Sequence, residues 1–567
     1  MTALLTDNLP LLAGAPNGIK KLRELILELA VRGKLVPQDP SDEPAGALLK
    51  RVAEEKSRLV AEGKIKKQKT LEEIATEECP FVLPAGWEWT RLGNVSAYIQ
   101  RGKGPAYVDQ SDFRVVSQKC VRWTGLDLQP ARFIEPESLV KYEPIRFLRS
   151  GDILWNSTGT GTIGRACIVE HRSEDEQLVA DSHVTVVRPT SISPVFLWRW
   201  IQSPSVQREL EGNASGTTNQ IELNTSTVIA HLTPIPPLAE QHRIVAKVDE
   251  LMALCDRLEA QQADAESAHA QLVQALLGSL TQAADAEEFA ASWQLLAEHF
   301  RTLFTTESSI DALKQTLLQL AVMGKLVPQA PSDEPASELL KRVAEKKARL
   351  ISEEGLRTTA REDVPETEHY FTLHAGWVPS RLGNIARFID YRGRTPTKTS
   401  SGVPLITAKN VRPGFISREP QEFIADTDYL SWMTRGFPRV GDMLFTTEAP
   451  MGNVAIIDIT DQFALAQRVI CFQLHELEIG PFLKLVMMSS GFQAQLSDAA
   501  TGMTATGIKS SRLKEIPVPI PPLPEQHRIV AKVEQLMSLC DSLKARLADA
   551  EKLNKQLAAA LVEQAVA

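Results

Sequence analysis

The 567 residues lack several things that would have set the class at once. No apolar run approaches the roughly 18 residues a membrane span needs. The N-terminus, MTALLTDNLP, has no basic segment followed by a long apolar one, so secretion is not expected. Six cysteines are scattered at 79, 120, 167, 255, 471 and 540 without a CxxC pair. That excludes a disulfide framework and a zinc knuckle, and it points to a cytoplasmic chain with reduced thiols. An excess of positive charge is also missing: the formal net charge is −9. The total argues against a protein that coats nucleic acid through bulk charge, but not against a local site.

Catalytic signatures are equally sparse. There is no GxxxxGK[ST] and no Asn/Asp-Pro-Pro-Tyr/Phe tetrapeptide. GTGTIG (159–164) matches GxGxxG only formally, because a strand-like RACIVE follows where a dinucleotide site requires a helix. Asp152 and Asp442 each follow a glycine, with no Glu-x-Lys close behind as a nuclease metal site would want. Gly-Asp therefore reads as a turn before a buried strand. No metal and no catalytic residue is expected.

What is present is a duplication. Residues 26–59 and 317–350 share 26 of 34 positions at an offset of 291. Residues 235–266 and 520–551 share 24 of 32 at an offset of 285. Between these blocks the halves keep only an outline, AGWEWTRLGN against AGWVPSRLGN and GDILWNS against GDMLFTT. Near-identical ends around dissimilar middles suggest two copies of one fold, meeting a shared partner at the ends and different targets in the middles.

The middles, 80–235 and 370–520, are rich in Gly, Pro, Thr and short alternating runs, and read as β-rich domains with a few helices such as SPVFLWRWIQS and GPFLKLVMMSS. Helical spacing covers 19–31, 44–62, 310–322 and 335–354, with Ser or Asp of the PQxPSDEP breaks available as N-caps, and a further amphipathic helix covers 286–305. After each IPPL, apolar residues step by four and three through Val248, Leu251, Cys255, Leu258, Gln262, Ala265, His269, Leu272 and Leu276, and again from Ile529 through Cys540 and Asn554 to Leu561. These are coiled-coil seams that most simply pair with each other. Polar Gln262, His269 and Asn554 would fix their register.

The fold class is thus α+β, two β-rich domains separated by a pair of long, antiparallel coiled-coil helices. The segments are 1–79 (helical), 80–235 (β-rich), 236–369 (helical), 370–520 (β-rich) and 521–567 (helical).

Basic and amide residues among glycines give the positive signal. YIQRGKGPAY contributes Arg101, Lys103 and Tyr107, and FIDYRGRTPTK contributes Arg392, Arg394, Thr395 and Lys398. SQKCVRWTG brings Gln118, Lys119 and Arg122, and TAKNVRPG brings Lys409, Asn410 and Arg412. Glycine lets backbone approach phosphate, and guanidinium can read guanine bidentately. Recurrence at equivalent places with different residues favours readout of two different DNA sequences.

IPPLAEQHRIVAKVDEL and IPPLPEQHRIVAKVEQL, each before a coiled coil, together with the GDIL-type segments, closely resemble the specificity subunit of a type I restriction–modification system. The resemblance covers nearly the whole chain. It implies a non-catalytic subunit whose two target recognition domains each read half of a split site in double-stranded DNA. The helices would set the spacer and dock two modification (methyltransferase) subunits. S-adenosylmethionine, and ATP with Mg, would belong to the modification and restriction subunits, and this chain would hold no cofactor.

The resemblance marks loops 100–107, 117–124, 155–162 and 215–221, with 391–398, 407–412, 446–453 and 503–511, as DNA-facing. It adds Asn156, Thr158, Thr160, Thr218, Asn219 and Gln220 in the first half. In the second it adds Thr447, Glu448, Thr504 and Lys509. Glu240, Gln241, His242 and Arg243, with Glu525, Gln526, His527 and Arg528, are the candidate partner-binding residues. A coiled-coil scaffold whose β-rich domains bind proteins is the competing reading.

By region, the acidity lies in 236–369 at −10, while 80–235 and 370–520 carry −1 and +2. The charge total therefore says little against the β-rich domains meeting DNA.

Overall fold

The computed structural model describes residues 12–140, 142–159, 161–170, 177–213, 222–354, 364–368, 371–391, 395–500 and 507–566. The chain forms two compact units. One comprises residues 1–265 and 550–567, the other 266–549.

In each unit a helical hairpin precedes the β-rich domain. In the first unit it is Gly18–Val31 and Ala45–Ala61; in the second, Glu307–Val322 and Ala336–Glu354. The apolar spacing seen in the sequence is the buried face: Ile19, Leu22, Leu25, Ile26 and Leu29 are all buried. Gly33 follows the first helix with φ +65, where a Cβ would lie 2.5 Å from Pro84 and 3.0 Å from Trp87. Gly324 repeats this against His374 and Trp377, so GK after the helix is a packing requirement.

The expected Ser or Asp N-cap of the hairpins' second helices is not what forms. Ala45 N–H donates to the Gly86 carbonyl at 2.8 Å, and Ala336 N–H to Gly376 at 3.0 Å. That contact ties the AGW segments to the hairpins. The aspartates serve elsewhere, Asp42 accepting from Arg243 and Asp333 from Arg528.

The β-rich domains match strand for strand. In the first unit a sheet runs Ser96–Arg101, Val184–Pro189, Ile153–Asn156, Ala166–Ile168, and a second runs Leu178–Ala180, Arg114–Val116, Arg132–Ile134, Tyr107–Val108. The second unit repeats both orders, with Ala386–Asp390, Val469–Leu474, Met443–Thr446, Val454–Ile456 and with Ala464–Leu465, Val403–Ile406, Phe423–Ile424, Lys398–Thr399. Helices Pro194–Gln202 and Gly480–Met488 fall on the two segments read as helical. Gly-Asp is the expected turn. Gly151 and Gly441 have φ +85 and +89, and the buried Asp152 and Asp442 precede fully buried strands.

The two long helices, Leu238–Gln282 and Leu523–Val566, each contribute to both cores. In the first unit Val248, Cys255 and Leu258 share a core with Ala558, Leu561 and Val562. In the second, Val273, Leu277 and Leu280 share one with Leu536, Cys540 and Leu543. The start of one helix meets the end of the other in each unit, as an antiparallel pair requires.

The buried register differs in detail from the heptad reading. Gln262 and Ala265 are exposed, as are Leu272 and Leu557, while the adjoining Val273 and Ala558 are buried. A straight helix drifts about 20° per heptad against a 3.5 repeat, so the buried stripe moves on by one residue. His269 reaches the Thr302 carbonyl at 3.2 Å, and Asn554 is exposed, so neither lies on a buried seam. The helix expected over 286–305 breaks at His299 into Ala286–Glu298 and Phe300–Leu303.

Candidate nucleic-acid interface

In the first unit, the strand that starts at Ile153 ends at Asn156, whose amide donates to the Gln118 carbonyl at 3.1 Å. Beyond it Thr158 Oγ1 lies 2.7 Å from His183 Nδ1. Gln118 Oε1 accepts from Thr162 at 3.3 Å, and Leu223 N–H donates to the Ser157 carbonyl at 2.8 Å. Loops at 117–124, 155–159 with 161–162, and 222–223 are thereby gathered at one end of the sheet. Arg101 joins them but is engaged, paired with Glu222 and donating to the Leu223 carbonyl at 3.1 Å.

The second unit builds the same frame from other residues. Thr447 N–H donates to the Arg468 carbonyl at 3.1 Å, and Ile508 N–H to the Thr447 carbonyl at 3.2 Å. Arg468 pairs with Glu448 at 3.5 Å, and Thr395 Oγ1 donates to Gln467 Oε1 at 3.0 Å. Glu448 and Arg468 occupy the places of Thr158 and His183, at offsets of 290 and 285. A cross-loop pair recurs with its chemistry exchanged.

The remaining candidates divide by burial. Lys103, Tyr107, Lys119, Arg122, Lys409, Arg412 and Lys509 are exposed. Arg132 sits 3.7 Å from the centre of the Tyr107 ring, Arg122 is 3.6 Å from Asp127, and Lys398 pairs with Glu422 at 2.7 Å. Asn156, Asn410 and Thr447 are buried and act within their loops. Asn410 accepts from Thr407 and donates to the Ser417 and Pro420 carbonyls, which corrects its reading as a DNA contact. Asn156 and Thr447 are corrected likewise, because a side chain with no exposed surface cannot reach a base edge. Thr160, Thr218, Asn219, Gln220, Arg392, Arg394 and Thr504 lie outside the described residues. His183, Gln467 and Arg468 join the surface unannounced by sequence, since no motif marks a residue that enters from an adjoining strand.

The twin EQHR segments need a similar correction. Glu240 accepts from Trp87 Nε1 at 3.0 Å and Gln38 at 3.1 Å; Glu525 does the same with Trp377 and Gln329, both at 3.1 Å. Gln241 accepts from Ser193 N–H and donates to the Pro236 carbonyl, and Gln526 donates to the Pro521 carbonyl. All four are buried and lock helix start to β-domain, leaving no surface for a partner. His242 and His527 are exposed, and Arg243 and Arg528 are half-buried on their aspartates. Burial raises the Glu240 carboxyl, opposed by the two hydrogen bonds and by Arg243.

Among the described residues no cluster of His, Cys, Asp and Glu could hold a metal, and no helix is long and apolar enough to cross a membrane.

The type I restriction modification DNA specificity domain matches twice, at residues 84–266 and 375–552. The chain belongs to that family. It is 37% identical to the type I restriction enzyme EcoAI specificity subunit of Escherichia coli, over 97% of this chain and 94% of the relative. The EcoEI specificity subunit of the same organism is 36% identical over the same shares. Among solved structures, a chain from a type I R-M system assembly aligns with 86% of this chain and 99% of its own, at 20% identity and a TM-score of 0.49. The HsdS subunit from Thermoanaerobacter tengcongensis aligns at 21% identity and a TM-score of 0.41, covering 86% and 98%. Both DNA specificity matches include the β-rich domain and the first part of the long helix that follows it.

Proposed function

We propose that this specificity subunit reads a bipartite site in double-stranded DNA, one half through each β-rich domain, and has no active site of its own. The carrying observation is the exchanged pair: one hydrogen-bonded frame presents Thr158 with His183 in one unit and Glu448 with Arg468 in the other. A frame kept while its exposed chemistry changes suits two readers of different sequences. The exposed Lys119, Arg122, Lys409 and Arg412 flank the frames and supply phosphate or guanine contacts.

The two long helices run out of one unit into the other and set the length of the unread spacer. They also serve as the docking surface for two modification subunits, which carry S-adenosylmethionine and methylate adenine. Restriction subunits, with ATP and Mg, join that assembly. His242 and His527, exposed at the helix starts, are the part of the EQHR segments open to such partners.

The test is a genome-wide map of methylated adenine in cells expressing the modification subunits with and without this chain. Methylation at one bipartite sequence, dependent on the chain, is expected. A map that does not change when the chain is removed favours the protein-binding scaffold instead.

A further inference from the structure

Each unit carries a carboxylate paired with a guanidinium among the loops just described. In the first unit Arg101 Nη1 donates to Glu222, and its Nη2 donates to the Leu223 carbonyl at 3.1 Å. In the second, Arg468 lies 3.5 Å from Glu448. The four side chains keep between 25% and 51% of their surface open. Ion pairs this open add little to stability. A carboxylate on a surface that meets DNA also repels phosphate, so its place there calls for a partner that donates.

Neither member of the pair sits at an equivalent position in the two units. Leu223 and Ile508 hold the same place on the frame, donating their N–H groups to the Ser157 carbonyl at 2.8 Å and the Thr447 carbonyl at 3.2 Å. The residue before them is Glu222 in the first unit and Gly507 in the second. A Cβ at Gly507 would stand 2.5 Å from Cγ of Glu448, so Glu448 lies where a side chain at 507 would begin. The carboxylate is kept at that place and supplied from the opposite loop. Its guanidinium changes source as well, from the end of strand Ser96–Arg101 to the turn before strand Val469–Leu474. Two different residue sets converging on one pair at one place mark a requirement of the surface, not a remnant of the duplication.

We propose, resting on the DNA-reading function above, that each carboxylate–guanidinium pair reads one G·C base pair of its half-site through the major groove. Guanine presents two adjacent acceptors there, N7 and O6, and its cytosine presents the N4 amine as a donor beside them. A guanidinium meets the two acceptors and a carboxylate the donor, so the joined pair complements the whole edge. An A·T pair offers a donor between its two acceptors, with the thymine methyl beyond, and leaves the guanidinium half unmet. A phosphate would face the carboxylate together with the guanidinium, like charge against like.

The experiment uses the full chain assembled with its modification subunits and reads the genome-wide map of methylated adenine. The wild-type map is expected to show a required G·C pair in each half-site. Arg468→Ala and Glu448→Ala are expected to relax that one position of the second half-site, losing roughly tenfold or more of discrimination there, with the first half-site unchanged. Arg101→Ala and Glu222→Ala do the same in the first. Arg101 is largely buried, so Arg101→Lys, which keeps the charge without the fork, decides the matter where Arg101→Ala fails to assemble. Relaxation at a position that is A·T in the wild type, relaxation in both halves, or none at all overturns the pair as a base reader.

A second measurement separates base reading from a structural or backbone role. On a duplex of the mapped sequence, deazaguanine, which lacks N7, placed at that guanine should weaken binding by the wild-type complex and leave the Arg468→Ala complex indifferent. Equal weakening of both overturns base reading. So does a variant that binds every sequence less well, with the slope of log K against log salt lowered by about one, because that guanidinium then sits on phosphate. A wild-type map with no bipartite sequence dependent on the chain overturns the DNA-reading function itself; a mapped site that all four alanine variants leave unchanged overturns the pairs alone.

Discussion

His183 Nδ1 lies 2.7 Å from Thr158 Oγ1, bridging two loops at the place where Arg468 and Glu448 pair in the other unit. Exchange of a hydroxyl–imidazole pair for a carboxylate–guanidinium pair on a kept backbone frame is what two readers of different bases require. His183→Ala is expected to relax one base position of a single half-site, at about 1–3 kcal/mol of discrimination, while the other half-site is untouched. Methylation mapping of the variant checks this. Relaxation in both halves, or in neither, contradicts it.

The long helices carry an exposed stretch around Gln262 and Ala265 in one and around Asn554 in the other. Insertion of seven residues at both places adds about 10 Å, some three base pairs, while returning each helix to nearly the same face. The expected product is a longer unread spacer between unchanged half-sites, read from the same kind of map. An unchanged spacer refutes the helices as its determinant.

Buried Glu240 joins the first long helix to Trp87 and Gln38. Glu240→Ala strands the buried Trp87 indole N–H and is expected to cost on the order of 3 kcal/mol in denaturant unfolding, whereas Glu240→Gln, which keeps an acceptor oxygen, costs less. Equal effects would show that volume, not hydrogen bonding, matters there.

The sequence-level reading reached the duplication, the hairpins and the β-rich middles, because apolar period and repeat identity are local signals. It misjudged residues whose role depends on burial. EQHR looks like a polar surface motif, yet Glu240 and Gln241 face inward because Trp87 and Ser193 come from distant segments to meet them. Asn410 looked like a DNA contact and is a loop staple. His183 was missed since only strand pairing brings Val184 beside Asn156 and so carries its neighbour to Thr158.

His231 is buried against Trp155 and Trp200, with ring centres 5.4 and 6.0 Å away, and burial pushes it down to about 4. Above pH 6.5 the imidazole is neutral folded or unfolded, and the contribution is constant. Between 6.5 and 4 the unfolded chain takes up a proton that the folded chain refuses, so stability falls with pH, by ~3 kcal/mol over the window. The second unit has Ile516 at this place. His231→Ile should flatten that part of the pH–stability curve; an unaltered acid limb would contradict the assignment.

The account's central claim is that each β-rich domain reads its own half of the site. Its most direct test replaces residues 80–235 with the corresponding region of a relative of different specificity and maps methylated adenine genome-wide. One half-site is predicted to change to the donor's, with the other half-site and the spacer unchanged. A site that stays the same, or changes in both halves, would contradict it.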